Sequence, residues 1–206
     1  VKLITGAGCV RASGKELAKL GKCCLIVTGK KYAKVSGALQ DVTDALEGNG
    51  QHWVLFDEIG QNPRLTDCMT AAEKAIAAGA DFILGIGGGS AIDTAKAVRK
   101  FATQMDDSYK PYLIAIPTTS GTGSEVTSFA VISNPAEGRK YPLRGDDMLP
   151  EEAILDEVLV KSVPAAITAD TGMDVMTHAI EAYVSTNNNE FSGALAEKSV
   201  EICGQF

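Results

Sequence analysis

The sequence has no long apolar segment and no basic face, and each absence excludes a class of protein. No apolar run approaches the roughly 20 residues that a membrane-spanning helix needs, and no basic-then-apolar leader stands at the start. The net charge is −7, and the one basic cluster, Lys30, Lys31 and Lys34, is too small for a nucleic-acid-binding surface. We therefore expect a cytoplasmic protein that binds neither a membrane nor nucleic acid.

Cysteine and histidine offer little for a disulfide framework or a complete metal site. The 5 cysteines form neither a CxxC pair nor a zinc-binding spacing. Such an odd, scattered set is typical of reduced thiols in the cytosol. The chain has only 2 histidines, His52 and His178. Because catalytic metal sites usually take three or more protein ligands, these residues alone do not predict a metal enzyme.

Apolar runs alternate with amphipathic segments along the first part of the chain. Unbroken apolar runs indicate strands that are buried on both faces. The predicted strands are 23–27, 53–56, 82–86 and 113–116, and the predicted helices are 35–46, 65–78 and 90–102. This order predicts an α/β fold with a Rossmann-like parallel sheet flanked by helices.

The pattern changes after Gly121. A strand or hairpin arm is predicted over 126–133, an irregular loop over 134–150, and a last short strand over 153–155. From Pro164 onward the spacing is helical, with helices predicted over 164–185 and 190–203.

Two domains follow from this change of pattern. We predict an α/β domain over 1–163 and the first helices of an all-α domain over 164–206. The two helices have apolar faces that they cannot bury alone, so we expect the rest of the helical domain to be absent from this chain. Packing on the sheet or a dimer contact is the alternative.

A glycine turn links the strand at 82–86 to the next helix. In Gly87-Gly88-Gly89-Ser90, three residues without Cβ atoms allow a phosphate to approach the backbone closely. The helix that follows, with Ser90 as its expected N-cap, offers N–H groups and a positive dipole end. Ser90 stands where the usual dinucleotide fingerprint has Gly or Ala. We predict a phosphate cradle here; an ordinary tight turn is the alternative.

Asp93 and Lys96 follow the glycine turn on the same predicted helix. Asp93 is expected either to accept a hydrogen bond from a ribose hydroxyl or to cap the first turn. A surface ion pair between the two side chains is a further alternative.

A second polar turn, Pro117–Glu125, follows the next predicted strand. Its hydroxyls and backbone amides can bind a phosphate or a nicotinamide carboxamide, or can satisfy the loop's own backbone. Open α/β sheets bind ligands at the carboxyl ends of neighbouring strands, so two such turns together favour a ligand site.

Asp174 and His178 lie four residues apart on a predicted helix and therefore share a face, with Glu181 one turn later. Both are competent metal ligands. An isolated Asp and His at this spacing are more often only hydrogen-bonded to each other, so the residues leave open both a metal site and a simple hydrogen-bonded pair.

Three stretches in this order and spacing resemble the iron-containing, or group III, alcohol dehydrogenases. They are Gly87–Ser90 with Asp93 to Lys96, Pro117–Glu125, and Gly172 to Tyr183. The resemblance implies a nucleotide-binding domain, a helical domain and an active site between them. It implies Asp174 and His178 as the first two of four metal ligands, the others being histidines further downstream than this sequence extends. It also implies a cofactor site made of Gly87, Gly88, Gly89, Ser90, Asp93, Thr118, Thr119 and Thr122, with Lys140 on the nicotinamide side.

One position departs from many NAD-preferring members of that family, which carry an acidic residue after the strand that ends here at Val27-Thr28. This sequence has Gly29, then Lys30 and Lys31. An acid there repels a ribose 2′-phosphate, whereas glycine and lysine do not. We therefore place Gly29 at the cofactor and predict that NADP is accepted, with NAD as the alternative.

The implied reaction is reversible hydride transfer between an alcohol and the nicotinamide. A divalent metal, Fe²⁺ or else Zn²⁺, polarises the substrate oxygen. No residue presents itself as a general base. We expect an alcohol or aldehyde substrate and a homodimer, and we expect this chain alone to bind nucleotide without turnover. The alternatives are an enzyme like the polyol dehydrogenases or dehydroquinate synthase, or a non-catalytic nucleotide-binding module.

Overall fold

The computed structural model describes residues 1–60 and 62–205, so Phe206, the end of the predicted second domain, lies outside the described residues. Its main feature is a six-stranded sheet in which every neighbouring pair is parallel. The described residues form eight strands: β1 (Lys2–Thr5), β2 (Cys23–Gly29), β3 (His52–Ile59), β4 (Phe82–Gly87), β5 (Tyr112–Pro117), β6 (Phe129–Asn134), β7 (Arg139–Arg144) and β8 (Glu152–Leu155). The sheet order is β1-β8-β5-β4-β2-β3, and β6 pairs with β7 as a separate antiparallel hairpin.

Eight α-helices accompany these strands in the part of the chain that the structure describes. They are α1 (Cys9–Ala12), α2 (Gly14–Leu17), α3 (Tyr32–Val35), α4 (Ala38–Gly48), α5 (Leu65–Ala78), α6 (Gly89–Met105), α7 (Ala165–Val184) and α8 (Glu190–Cys203). Two 3₁₀ turns, Ser124–Val126 and Asp146–Met148, complete the described elements. None of these helices is both long and apolar enough to cross a membrane.

The sheet carries a hydrophobic core on each face, because successive side chains of a strand point to opposite sides. In β2, Cys24 and Ile26 join a core with residues of α1 to α4, whereas Leu25 and Val27 join another with residues of α5 and α6. A strand buried on both faces must be apolar throughout, which is why the central strands are unbroken apolar runs. The predicted α/β fold, a Rossmann-like parallel sheet flanked by helices, is confirmed.

Two predictions of individual elements were wrong, and one strand was not predicted. The helix expected over 35–46 is two helices, α3 and α4, separated by Gly37 at φ +84, which an α-helix does not accommodate. The loop expected over 134–150 contains β7, whose mostly exposed, charged residues give no apolar signal. No strand was predicted near the start, yet Lys2–Thr5 forms β1; as a mostly exposed edge strand it lacks an apolar run.

Contacts divide the chain into two units. The larger comprises Val1–Thr118 and Gly123–Ser162 and contains the sheet and the β6–β7 hairpin. The smaller comprises Thr119–Thr122 together with α7 and α8. An Asn189 capping box, in which the side chain accepts from Phe191 and Ser192 amides, starts α8.

Candidate functional site

Within the glycine turn, position 87 accepts only glycine. Gly87 ends β4 with φ +148, a conformation that side chains rarely adopt. A Cβ on Gly87 would lie 2.8 Å from the Cβ of Ala91, in the first turn of α6. Gly87 itself is buried, whereas Gly88 and Gly89 are partly exposed where β4 passes into α6.

The helix start differs from the prediction that Ser90 is the N-cap. The N-cap of α6 is Gly88, in extended conformation, and its carbonyl accepts from the amides of Ala91 and Ile92. Ser90 therefore lies within the first turn. The difference arises because the turn closes one residue after β4 ends, so the helix begins at Gly89. The positive end of the α6 dipole is consequently at the glycines themselves.

Close packing of α6 on β4 aims this helix end at the carboxyl edge of the sheet. A Cβ on Gly85 would lie 2.8 Å from the Cβ of Ala95, so the helix can approach the strand only because residue 85 is glycine. In dinucleotide-binding turns, one of the glycines likewise serves to let the helix pack closely on the strand.

Thr118 stands beside the glycine turn, at the end of the neighbouring strand β5. Its amide donates to the carbonyl of Gly87 over 3.0 Å. Its side chain is 1% exposed, and among the described residues its hydroxyl has no hydrogen-bond partner. Buried hydroxyls are normally paired, so this one is open to a partner outside the chain. A helix start made of glycines, partly exposed at Gly88 and Gly89 and next to an orphaned hydroxyl, fits a phosphate-bearing ligand.

Asp93 and Lys96 are engaged within the protein. Lys96 is fully buried, so the alternative of a surface ion pair with Asp93 was wrong. Its ammonium donates to Ser124 Oγ at 3.1 Å, to Thr127 Oγ1 at 3.1 Å and to the Phe129 carbonyl at 2.8 Å. The Asp93 carboxylate accepts from Ser124 Oγ at 2.5 Å and from the backbone amide of residue 131 at 2.9 Å.

Burial dominates the protonation of both groups. It lowers the pKa of Lys96 to about 8, against the attraction of Asp93 and Glu125. It raises the pKa of Asp93, opposed by the bonds from Ser124 and from the amide of residue 131. Sequence reasoning missed the roles of Lys96 and Ser124. The available signal was a lysine set among small apolar residues in Ala95-Lys96-Ala97.

The position expected to distinguish NADP from NAD is at the same edge of the sheet. Gly29 ends β2, the strand next to β4, and a Cβ on it would meet nothing within 4 Å. Lys31 lies 6.0 Å from the ring centroid of Tyr32, and the Lys34 ammonium is 3.1 Å from Asp57 Oδ2. No acidic side chain occupies residues 29–31.

Lys140 lies on the exposed strand β7 and lines a cavity of about 360 Å³. The described residues that line this cavity include three cationic side chains, Arg64, Arg139 and Lys140, and no acidic one. Gly60, which follows β3, also lines it. The cavity is therefore suited to an anionic group.

Asp174 and His178 meet on one face of α7. Asp174 Oδ1 lies 3.8 Å from His178 Nε2, and both side chains are about half exposed. Donors at this spacing and exposure fit two ligands of one cation. No group of three or more His, Cys, Asp or Glu side chains that could hold a metal occurs in residues 1–60 and 62–205.

Thr119 and Thr122, the other expected cofactor residues, belong to the smaller unit with α7. Between them, Gly121 packs so closely on this helix that a Cβ would lie 2.7 Å from Thr171 Cβ. Thr171 precedes Asp174 by one helical turn. The middle of the second polar turn is thus fixed next to the helix that carries the two metal-competent side chains.

Comparison with known proteins agrees with this geometry. The model of the iron-containing alcohol dehydrogenases matches residues 1–157, and that of the C-terminal region of the same family matches residues 168–205. The chain belongs to the iron-containing alcohol dehydrogenase family. The matches do not favour the polyol dehydrogenase or dehydroquinate synthase alternative.

Individual relatives support the same assignment. The chain is 47% identical over 171 residues to the 1-propanol dehydrogenase PduQ of Citrobacter freundii, covering 83% of this chain and 46% of that protein. The crystal structure of an iron-containing alcohol dehydrogenase from Thermotoga maritima has a TM-score of 0.92 at 33% identity, covering 100% of this chain and 59% of that one.

A third relative was solved with a nucleotide. Sulfoacetaldehyde reductase from Bifidobacterium kashiwanohense, in complex with NAD⁺, has a TM-score of 0.89 at 31% identity, covering 98% of this chain and 57% of that one. The chain thus spans about half the length of the relatives it matches.

Proposed function

We propose that this chain carries the nucleotide-binding portion and two metal ligands of an NAD(P)-dependent alcohol dehydrogenase. The observation that supports this most strongly is the turn at Gly87, where a side chain is excluded by both φ and the 2.8 Å approach of Ala91. A turn without side chains at a helix start, beside the orphaned hydroxyl of Thr118, suits the pyrophosphate of a dinucleotide.

The proposed division of tasks within the cofactor site follows from these positions. The backbone of Gly87, Gly88, Gly89 and Ser90 holds the pyrophosphate. The hydroxyls of Thr118, Thr119 and Thr122 orient the cofactor, and Lys140 contributes a cation on the nicotinamide side. Both carboxylate oxygens of Asp93 accept internal hydrogen bonds, so Asp93 acts beside the cofactor by fixing the protein around it.

The choice of nucleotide is proposed to favour NADP, although NAD⁺ is bound by one relative. Gly29 leaves open space at the end of β2, and Lys30 and Lys31 follow it. A 2′-phosphate carries extra negative charge, which these lysines attract and which no acid at residues 29–31 repels. Binding constants for NADPH and NADH measured side by side test this choice; tighter binding of NADH contradicts it.

The proposed metal is Fe²⁺, with Zn²⁺ as the alternative, held by Asp174 and His178 and by further ligands outside the described residues. When bound, such an ion acts as a Lewis acid on the alcohol oxygen. The contribution of this chain is to present one oxygen and one nitrogen donor in fixed register on α7. The mixed donor set suits either metal.

The remaining features of the whole protein are proposals of the same kind. A relative is named for 1-propanol, so we propose a short primary alcohol and its aldehyde as substrates. We also propose a cytoplasmic homodimer.

The activity is tested by a chimera in which this chain is followed by the segment of Citrobacter 1-propanol dehydrogenase that lies beyond the matched region. We expect Fe²⁺-dependent reduction of NADP⁺ by 1-propanol from the chimera and none from the 206-residue chain. His178→Ala should abolish the activity, whereas His52→Ala, on the exposed start of β3, should retain it. A chimera that binds nucleotide but oxidises no alcohol would instead favour a non-catalytic module.

A further inference from the structure

We propose that Lys96 is a positioning residue for the nucleotide, acting by anchoring the end of the second polar turn to the helix that begins at the glycine turn. The inference rests on the proposed function, because it concerns the affinity for that nucleotide. It assigns to Lys96 a task distinct from direct phosphate binding.

The geometry excludes Lys96 as a phosphate ligand in this conformation. An ammonium group has three N–H donors. All three of them have acceptors inside the protein: Ser124 Oγ, Thr127 Oγ1 and the Phe129 carbonyl. The side chain is also fully buried, so reaching a ligand would require it to break this network.

Hydrogen bonds hold the polar turn at both of its ends, and the Lys96 network forms those at the second end. At the start, the Thr118 amide is bonded to the Gly87 carbonyl in the glycine turn. At the end, Ser124 donates to Asp93 and accepts from Lys96, and both of these partners lie on α6. Because α6 starts at Gly89, its first turns link the phosphate cradle to the polar turn. Loss of the Lys96 bonds releases one end of that turn while leaving the glycine backbone intact.

Charge explains why the anchor responds to pH. The charged groups that act on the ammonium are Asp93 and Glu125, which favour its charged form, and Arg99, which opposes it together with burial. The resulting pKa of about 8 lies well below the ordinary 10.5. A neutral amine has two N–H donors instead of three, so one of the three anchoring bonds is lost when Lys96 deprotonates. Nucleotide affinity should therefore decline as the pH rises through 8.

Calorimetric titration of NADPH into the 206-residue chain tests the proposal. Lys96→Met removes all three anchoring bonds and should weaken binding about tenfold, which corresponds to about 1.4 kcal/mol. Lys100→Met, on the next turn of α6 and bonded to Asp147, is the matched control and should bind like the unaltered chain. Ser124→Ala keeps the lysine but removes the shared hydroxyl, and it should weaken binding about threefold.

A pH readout separates positioning from a general loss of stability. Between about pH 7 and pH 9, the affinity of the unaltered chain should fall, and binding near pH 8 should take up protons, because linkage is reciprocal. Both effects should be absent from Lys96→Met. If Lys96→Met does not fold, the smaller pH dependence expected of Ser124→Ala carries the test.

Three outcomes overturn the proposal. Equal NADPH affinities of the unaltered chain, Lys96→Met and Ser124→Ala would refute the positioning role while leaving the proposed function intact. A pH dependence that persists unchanged in the variants would do the same. Absence of nucleotide binding by the unaltered chain would refute the proposed function and this inference together.

Discussion

Replacing Gly87 by alanine perturbs the glycine turn with the smallest possible side chain. Two costs follow from the structure. A side chain at φ +148 costs about 1–3 kcal/mol in backbone strain. Its Cβ would also lie 2.8 Å from Ala91 Cβ, and relieving such an overlap in a packed site costs about 1–3 kcal/mol. The sum, about 2–6 kcal/mol, approaches the total stability of many domains, about 5–15 kcal/mol.

Thermal unfolding followed by circular dichroism measures this loss. For a chain of this size each kcal/mol lowers Tm by about 2–4 °C, so we expect a decrease of roughly 5–20 °C. NADPH affinity, measured below that transition, should fall at least about tenfold, because relieving the contact between the added Cβ and Ala91 displaces the glycine backbone relative to the first turn of α6.

Gly48→Ala provides the matched control for this substitution. Gly48 ends α4, its Cβ position is open, and its φ lies outside the positive region. Alanine there should leave NADPH affinity unchanged and leave stability equal or higher by about 0.5–1 kcal/mol. The reasoning is refuted if Gly87→Ala unfolds and binds NADPH as Gly48→Ala does.

Three further predictions concern other parts of the site. Gly29→Asp should shift the NADPH-to-NADH affinity ratio at least about tenfold toward NADH with Tm unchanged, since its Cβ meets nothing within 4 Å; an unaltered ratio counts against the role of Gly29. The pKa of Lys96, about 8 in the folded chain and 10.5 ordinarily, means that the unfolded chain binds the extra proton between these values, so unfolding free energy should rise with pH there. The rise is at most about 3 kcal/mol. The thiol of Cys68, with its pKa raised from 9.0 to about 12, acts in the opposite sense, so urea unfolding should show the rise as the difference between the unaltered chain and Lys96→Met. Parallel curves of unfolding free energy against pH for the two proteins would refute it. His178→Ala should weaken Co²⁺ binding at least about tenfold by absorbance titration without changing NADPH affinity, whereas equal Co²⁺ affinities would exclude His178 as a ligand.

The elements predicted well are those whose environment is uniform along their length. The central strand β4 is buried throughout, so every residue is apolar or glycine and the run is unmistakable. Helices α5, α7 and α8 are bounded by residues that end or start helices, such as Gly79 in the left-handed conformation and Asn189 as a capping residue.

Edge elements escaped prediction because their residues face both protein and solvent. Strand β7 owes its place to pairing with β6, and its mostly exposed charged residues resemble a loop in the sequence. The break at Gly37 is equally local: a single left-handed residue divides α3 from α4 without altering the apolar spacing.

The site shows the same limit. Glycines 87 to 89 predict a close approach to the backbone, because the absence of Cβ atoms is visible in the sequence itself. The burial of Lys96 is not visible in the sequence, because the residues that accept its hydrogen bonds lie 28 to 33 positions later in the chain. Whether a lysine on an amphipathic helix faces solvent or an internal network depends on what packs over it.

The central claim is that the chain binds a nicotinamide dinucleotide through the glycine turn, and energy transfer from Trp53 to NADPH tests it most directly. Trp53 is the only tryptophan, so excitation of the protein and emission from bound nucleotide report one interaction. We predict saturable binding of one NADPH per chain, displaced by NADP⁺, weakened at least about tenfold in Gly87→Ala and unchanged in Gly48→Ala. No saturable NADPH signal, confirmed by calorimetry, or one that Gly87→Ala leaves unchanged, would contradict the account.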